Sequence, residues 1–558
     1  MAGVAATDVA GPAMPPAPSA WSPFGRRAFA LLWTATLVSN VGTWMHDVGA
    51  GWLMTTLAPS PAMVAFVQSA TTAPIFLFAL FAGALADRID KRRFLIQANA
   101  ALLAVVAAMA MATAAGLMTP PLLLAFTFLI GAGAAFVAPA WQAVVPQLVP
   151  RPELQAAIAL NSMGINISRA IGPALAGALI VAVGLAAPFA VNAASFLVII
   201  AALLMWRPPA QPRPTLPPEP IAAAMLTGLR HVAHNPPMKA TLARSVGYFL
   251  FASAFWALLP LAAKGLPGGG AALYGVLLGA VGAGAVGGAL LMPAIRKRID
   301  ANRLAAGGAV ITAAAMALLG LAAAGPVAVA AALLGGVGWI IVLTSLNVSA
   351  QTALPDWVRA RGLAVSLMTF FGCMALGAAL WGQIAQATSI AGALSIAAAG
   401  ALLAIPLTWR ARLGQGEGLD LAPATSWADP VVAPDAGAVP DRGPVVVSIR
   451  YEIPMAATDA FLAALHEVAD ERRRDGAYRW GVYQDASEPR FWTELFYLPS
   501  WAEHLRQHER ATVHDADAHA RARAFHAGEG EPVVSHLLAP AQTAAGALPH
   551  DETEEPTT

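Results

Sequence analysis

Twelve apolar runs, each long enough to cross a lipid bilayer as a helix, succeed one another through most of the chain. They lie near residues 28–56, 62–86, 94–116, 121–145, 154–183, 187–206, 240–263, 271–294, 304–324, 326–349, 361–386 and 389–409. About 20 apolar residues rising about 1.5 Å each cover roughly 30 Å of hydrocarbon, and in lipid a helix satisfies its backbone from within. Of 558 residues 58% are hydrophobic and only 12% charged, against about 25% charged in soluble domains, so the expectation is a polytopic, all-α membrane protein. The net charge of +1 offers no attraction for nucleic acid, and none is expected as a partner. The sole cysteine, Cys373, sits in an apolar run, so no disulfide framework and no Cys-based metal site is expected. The first 20 residues lack a cationic start followed by a short apolar core, so no cleaved signal is expected.

Cations mark alternate connections. Arg26, Arg27, Arg88, Lys91, Arg92, Arg93, Arg207, Arg296, Lys297, Arg298, Arg359, Arg361 and Arg410 fall on one side, and only Lys264 falls on the other. The positive-inside rule then puts both termini and the long 207–239 connection in the cytoplasm. A constant offset of 205 residues pairs Gly83 with Gly288, Gly131 with Gly336, Gly172 with Gly377 and Gly177 with Gly382, so the runs read as two six-helix repeats, 27–206 and 240–412. The offset carries Lys91, Arg92 and Arg93 onto Arg296, Lys297 and Arg298 but places Asp87 on Met292.

The loop GALADRIDKRR, with Gly83, Asp87, Arg88, Lys91 and Arg92, resembles the loop signature of the major facilitator superfamily, with Asp90 where that family has glycine. Asp87 ends its own helix, where the macrodipole disfavours a carboxylate, so it is expected to find donors elsewhere, at the start of the eleventh span near Arg361 and Gly362. The resemblance implies two repeats around a midplane cavity and alternating access.

Asp47 is the one acid well inside a predicted span, and Arg169 is the one arginine comparably deep. Counted from the cytoplasmic ends of their helices they lie within about 8 Å in depth at about 1.5 Å per residue. They are expected to couple protons to transport or, on the blander reading, to form a structural ion pair. Gly172, Pro173 and Gly177 lie in NISRAIGPALAG on the fifth span, which partly resembles the glycine-proline signature of superfamily antiporters. Close helix packing accounts for it equally well. The fourth-span arginine of many proton-coupled members is absent, since 122–145 holds no cation. Trp44, Phe136, Trp141, Tyr248, Trp256, Tyr274, Trp339 and Trp381 read mostly as interface belts or packing. Asn40, Gln68, Asn161, Asn347, Gln351 and Gln383 are candidates to hydrogen-bond a polar cargo.

Past a flexible linker read at 413–443, the order changes. Val445, Val447, Ile449, Tyr451 and Ile453 alternate as a half-buried strand, Phe461, Leu465 and Val468 share a helix face, and Asp475-Gly476 ends it. Strand-like runs at 478–484 and 491–497, a helix opened by Ser500 with Glu503 and running to about His526, and a strand at 533–538 complete βαββαβ, a ferredoxin-like cytoplasmic domain at 444–538. SWAEHLRQHER reads as a solvated helix face turning Trp501 and Leu505 inward. His504 and His508 have the i, i+4 spacing of a metal pair but no evident third ligand, so no metal and no cofactor is expected. The segments 1–26 and 539–558 read as disordered.

The tail looks like antibiotic-biosynthesis monooxygenase-type modules, which tend to pair, and a homodimer through it is expected. Residues 20–540 resemble the bacterial transmembrane secretion effector group that includes enterobactin exporters. The likeness rests on SNVGTWMHDVGAGWLM, APAWQAVVPQLVP, NISRAIGPALAG, RDGAYRWGVYQD and SWAEHLRQHER. It implies a non-enzymatic, proton-driven exporter of small amphipathic or siderophore-like molecules in a bacterial inner membrane. Uptake, or a tail that acts enzymatically on the cargo, are the alternatives.

Overall fold

A computed structural model describes residues 19, 21–58, 60–86, 89–208, 221–355, 357–414, 420–422, 424 and 442–539. Among the described residues thirteen α-helices come first: α1 (Arg27–Leu57), α2 (Pro61–Ala86), α3 (Lys91–Ala114), α4 (Pro120–Val144), α5 (Leu154–Ala182), α6 (Ala187–Met205), α7 (Ile221–Ala233), α8 (Pro236–Gly265), α9 (Ala271–Arg296), α10 (Ala301–Gly320), α11 (Gly325–Thr352), α12 (Arg359–Ala387) and α13 (Ile390–Leu407). Among the described residues eleven helices, α2 to α6 and α8 to α13, are long and apolar enough to cross a membrane. The 31-residue α1 has the length but is diluted by Ser39, Asn40, His46 and Asp47. The 13-residue α7 is too short to span; it arises within the 207–239 connection because Leu226, Leu229 and Val232 recur at helical spacing.

The helix ends follow local chemistry. Asp90, the departure from the superfamily loop, is the N-cap of α3 and accepts a bond from Arg93 N at 3.2 Å. Asp300 caps α10 in the same way, accepting from Asn302 N and Arg303 N. At the far end of α3, Gly116 takes φ +70°, which lets Leu117 N reach back to Ala112 O.

Two compact units result. The first comprises Met1–Pro218, Val246–Leu343 and Met368–Leu407, and the second Glu219–Ser245, Thr344–Leu367 and Thr408–Thr558. In the first, one buried cluster holds Phe255, Leu258, Leu277 and Met316 together with Val48, Leu53 and Phe189, and another joins Phe29, Leu95, Val144, Phe196 and Leu203. Large apolar side chains such as Leu290, Leu376 and Val181 stand on outward faces, as lipid-facing positions require.

The second unit carries β1 (Val445–Glu452), α14 (Thr458–Asp475), β2 (Arg479–Gln484), β3 (Phe491–Leu498), α15 (Trp501–Arg510), α16 (Val513–Arg523) and β4 (Val533–Leu538). The antiparallel sheet has the order β2-β3-β1-β4. Val445, Val447, Ile449 and Tyr451 of β1 face Phe461, Leu465 and Val468 of α14 in one core. Two expectations are corrected here. The last helical stretch breaks, because Ala511 turns extended and Thr512 with Asp515 forms a complete capping box that starts α16 afresh. The described part of the supposed flexible linker is also bonded, with Val513 N donating to Ala422 O and His514 N to Asp420 O.

Candidate functional site

A cavity of about 290 Å³ opens inside the first unit. From the first six helices it takes Trp44 and Asp47 of α1, Gln68, Thr71 and Thr72 of α2, and Arg169 of α5. From the later ones it takes Trp256 of α8, Tyr274 of α9, Trp339 of α11, and Phe370 and Phe371 of α12. The aromatic wall is continuous: Trp256 meets Trp339 edge-on at 5.1 Å, and Trp339 meets Phe370 at 6.0 Å. Four of the eight aromatics read as belts or packing therefore line the cavity, whereas of the six amide candidates only Gln68 does.

Asp47 and Arg169 share this cavity without forming an ion pair within 4.0 Å. The guanidinium instead lies over the Trp44 ring, 5.3 Å from its centroid, and its Nε has no hydrogen-bond partner among the described residues. Beside Asp47, His46 is buried against the edge of Phe189 at 5.0 Å, and neither ring nitrogen has a partner among the described residues. Its one sequence signal was adjacency to the deep acid.

The glycines of α5 set helix approach. A Cβ at Gly172 would fall 2.6 Å from Trp44 Cβ, and one at Gly177 would fall 2.9 Å from Ala271 O of α9. Opposite, a Cβ on Gly275 would meet Pro173 O at 2.7 Å. In the loop signature, Arg92 donates to Leu203 O and Leu204 O at 2.9 and 2.7 Å, so it caps the carbonyl end of α6. Lys91 is the first residue of α3, and a Cβ on Gly83 would meet nothing within 4 Å. Asp87 and Arg88 lie outside the described residues.

The model of the family described as transmembrane secretion effector matches residues 18–544. The chain belongs to that family. Its helical part has the major facilitator fold. A POT family transporter in complex with 5-aminolevulinic acid superposes with TM-score 0.57 at 13% identity, covering 69% of this chain and 96% of that one. A bacterial homologue of the lysosomal transporter Spinster, inward-facing and unoccupied, gives 0.53 at 16% identity, covering 69% and 98%. The Staphyloferrin A transporter of Staphylococcus aureus is 30% identical over 141 residues, 25% of this chain and 36% of the relative, so the match spans about a third of that protein's length.

In this chain the second unit joins α7 to the sheet domain. Arg230 donates to Gly476 O at 3.1 Å, Arg510 stacks over Trp357 at 4.8 Å, and His231 meets the same indole edge-on at 5.4 Å. Burial first, then the Arg474 and Arg510 charges, lower the His231 imidazole to about 3. The supposedly solvated helix face is buried, which corrects that expectation: Glu503, His504, Gln507 and Arg510 all turn inward. Arg510 Nη1 bonds Glu503 at 2.5 Å and Asp475 O at 2.6 Å, so Glu503 does not close a capping box on Ser500. On β3, the buried Glu494 accepts from Trp480 Nε1 at 2.9 Å, Tyr451 Oη at 3.2 Å and Arg472 Nε at 3.4 Å.

Proposed function

We propose that this protein is a secondary active exporter, driven by protons through alternating access, that carries small amphipathic or siderophore-like molecules out of a bacterial cell. The cavity carries the reading: an aromatic wall drawn from early and late helices surrounds one carboxylate and one guanidinium. Aromatic faces suit an amphipathic cargo, and a lone intramembrane acid that lines a cavity is where a proton can bind and leave. At about 290 Å³ the cavity lies at the small end of ligand pockets, about 300–1,000 Å³, so siderophore-sized cargo requires it to widen on opening. The partial likeness to a Staphyloferrin A transporter supports the cargo class.

The proposal includes twelve spans, with α1 as the first, in two repeats with both termini in the cytoplasm. Matching close approaches support the repeats. Gly177 of α5 packs on α9, the second span of the later group, and its offset partner Gly382 of α12 packs on Ala62 and Ala65 of α2. The loop from Gly83 through Asp87 and Arg88 to Lys91 and Arg92 is proposed as the gating hinge, anchored by the grip of Arg92 on α6. The sheet domain is proposed to tether two copies rather than to catalyse.

Metabolite efflux measured across a panel, in cells with and without the gene, tests direction and cargo together. Export predicts that one siderophore-like compound accumulates inside deletion cells and leaves complemented cells only while a proton gradient stands. Loss of uptake of the same compound in deletion cells would establish import instead.

A further inference from the structure

Three imidazoles converge on the sheet domain from elements distant in sequence. His504 and His508 stand one turn apart on α15, and His536 reaches them from edge strand β4, where it pairs with Val447 and so faces the helices. One nitrogen from each lies within 4.8 Å of the other two. The rings are close: His504 to His508 and His504 to His536 are both 4.7 Å between centroids, with Trp501 walling the group at 5.3 Å from His504.

Packing alone accounts for this poorly. His504 is 2% exposed, and neither of its nitrogens makes a hydrogen bond among the described residues. An unsatisfied buried polar atom costs about 1–3 kcal/mol, so a polar group left in that condition calls for a partner. The Gln507 amide on the same helix is likewise buried and makes no hydrogen bond of ordinary geometry among the described residues. His508 and His536 are only partly buried, which leaves an entry path and a side open to a fourth ligand.

We propose that His504, His508 and His536 form a three-histidine site for a divalent transition metal of the Zn²⁺ class, with the fourth position left to water or an exchangeable ligand. Nitrogen at about 2.0–2.1 Å in tetrahedral geometry puts ligand atoms roughly 3.3 Å apart, so small side-chain rotations close the site. Imidazole donors without carboxylates favour zinc, copper, nickel or iron over magnesium or calcium. The metal would clip α15 to the sheet edge, on the helix whose last residue, Arg510, stacks over Trp357.

The test uses the full chain, purified in detergent with a tag that lacks histidine, stripped of metal and titrated with Co²⁺. Expected are one Co²⁺ per chain with the visible d–d bands of tetrahedral cobalt, displacement by stoichiometric Zn²⁺, and a rise in melting temperature on adding Zn²⁺. Loss of an outer-sphere partner weakens metal affinity about 10–100-fold, so His508→Ala and His536→Ala, which remove ligands, should each weaken it at least about 100-fold. Exposed His466→Ala should leave it unchanged, and melting of the metal-free variants verifies that they fold. No stoichiometric cobalt spectrum in the wild-type chain, or equal affinity in the His508→Ala/His536→Ala double variant, overturns the site.

Discussion

At Asp47 the chemistry depends on what the carboxylate does not touch. Arg169 is engaged with the face of Trp44 rather than with Asp47, so removing the Asp47 charge strands no bonded cation in this conformation. Asp47→Asn, which keeps the shape and cannot titrate, is therefore expected to fold with an unchanged melting temperature and to bind cargo, while losing dependence on the proton gradient in proteoliposomes. A lowered melting temperature restored by adding Arg169→Gln would show instead that the two pair structurally, because breaking a buried pair on one side costs about 3–5 kcal/mol. The acid was legible in the sequence, since a carboxylate so deep in an apolar run stands out. Its surroundings were not: whether Trp44, Trp256 or Trp339 faces cavity or lipid depends on helix rotation, which composition does not encode. The same holds for His536 and Glu494, each an ordinary polar residue in a strand until pairing register places it inward.

Helix positions in this molecule are fixed by contacts that only glycine permits. Gly177 sits so near α9 that a Cβ would lie 2.9 Å from Ala271 O and 3.3 Å from Gly275 Cα, backbone atoms that cannot rotate away. Gly177→Val is accordingly expected to lower stability by about 1–3 kcal/mol, the range for overpacking, and to slow transport, whereas Gly83→Ala, with nothing within 4 Å, should leave melting unchanged. Thermal melts of the two variants in one detergent decide it, and equal melts would remove the close approach as a constraint. Spans, strand alternation and the α14 core face could be read ahead of the structure because 3.6- and 2-residue periods are local. The amphipathic α7, the break between α15 and α16, and the burial of Glu503 and Arg510 could not, because each depends on a tertiary partner.

For the whole molecule, the sheet domain matters through its second face. Helices α14 to α16 cover one side, while Val446, Leu495, Tyr497, Tyr483, Val533 and Leu537 point to the other. Of these, Tyr483, Leu537 and Val533 are 55%, 56% and 64% exposed. Antiparallel sheets can leave one face to water, but that face is then ordinarily polar, and an exposed apolar patch marks an association surface. Pairing of two copies across this face is the arrangement proposed above. In nanodiscs or mild detergent the chain should then have the mass of two copies by light scattering, and Val446→Lys with Leu537→Glu should halve it without lowering the melting temperature, since both side chains leave the core untouched. With Cys373→Ser removing the native thiol, Leu537→Cys should give oxidant-dependent crosslinked dimers in membranes. A wild-type mass of one copy, with no crosslinking from Leu537→Cys, would leave the apolar face to some other partner and end the tethering role.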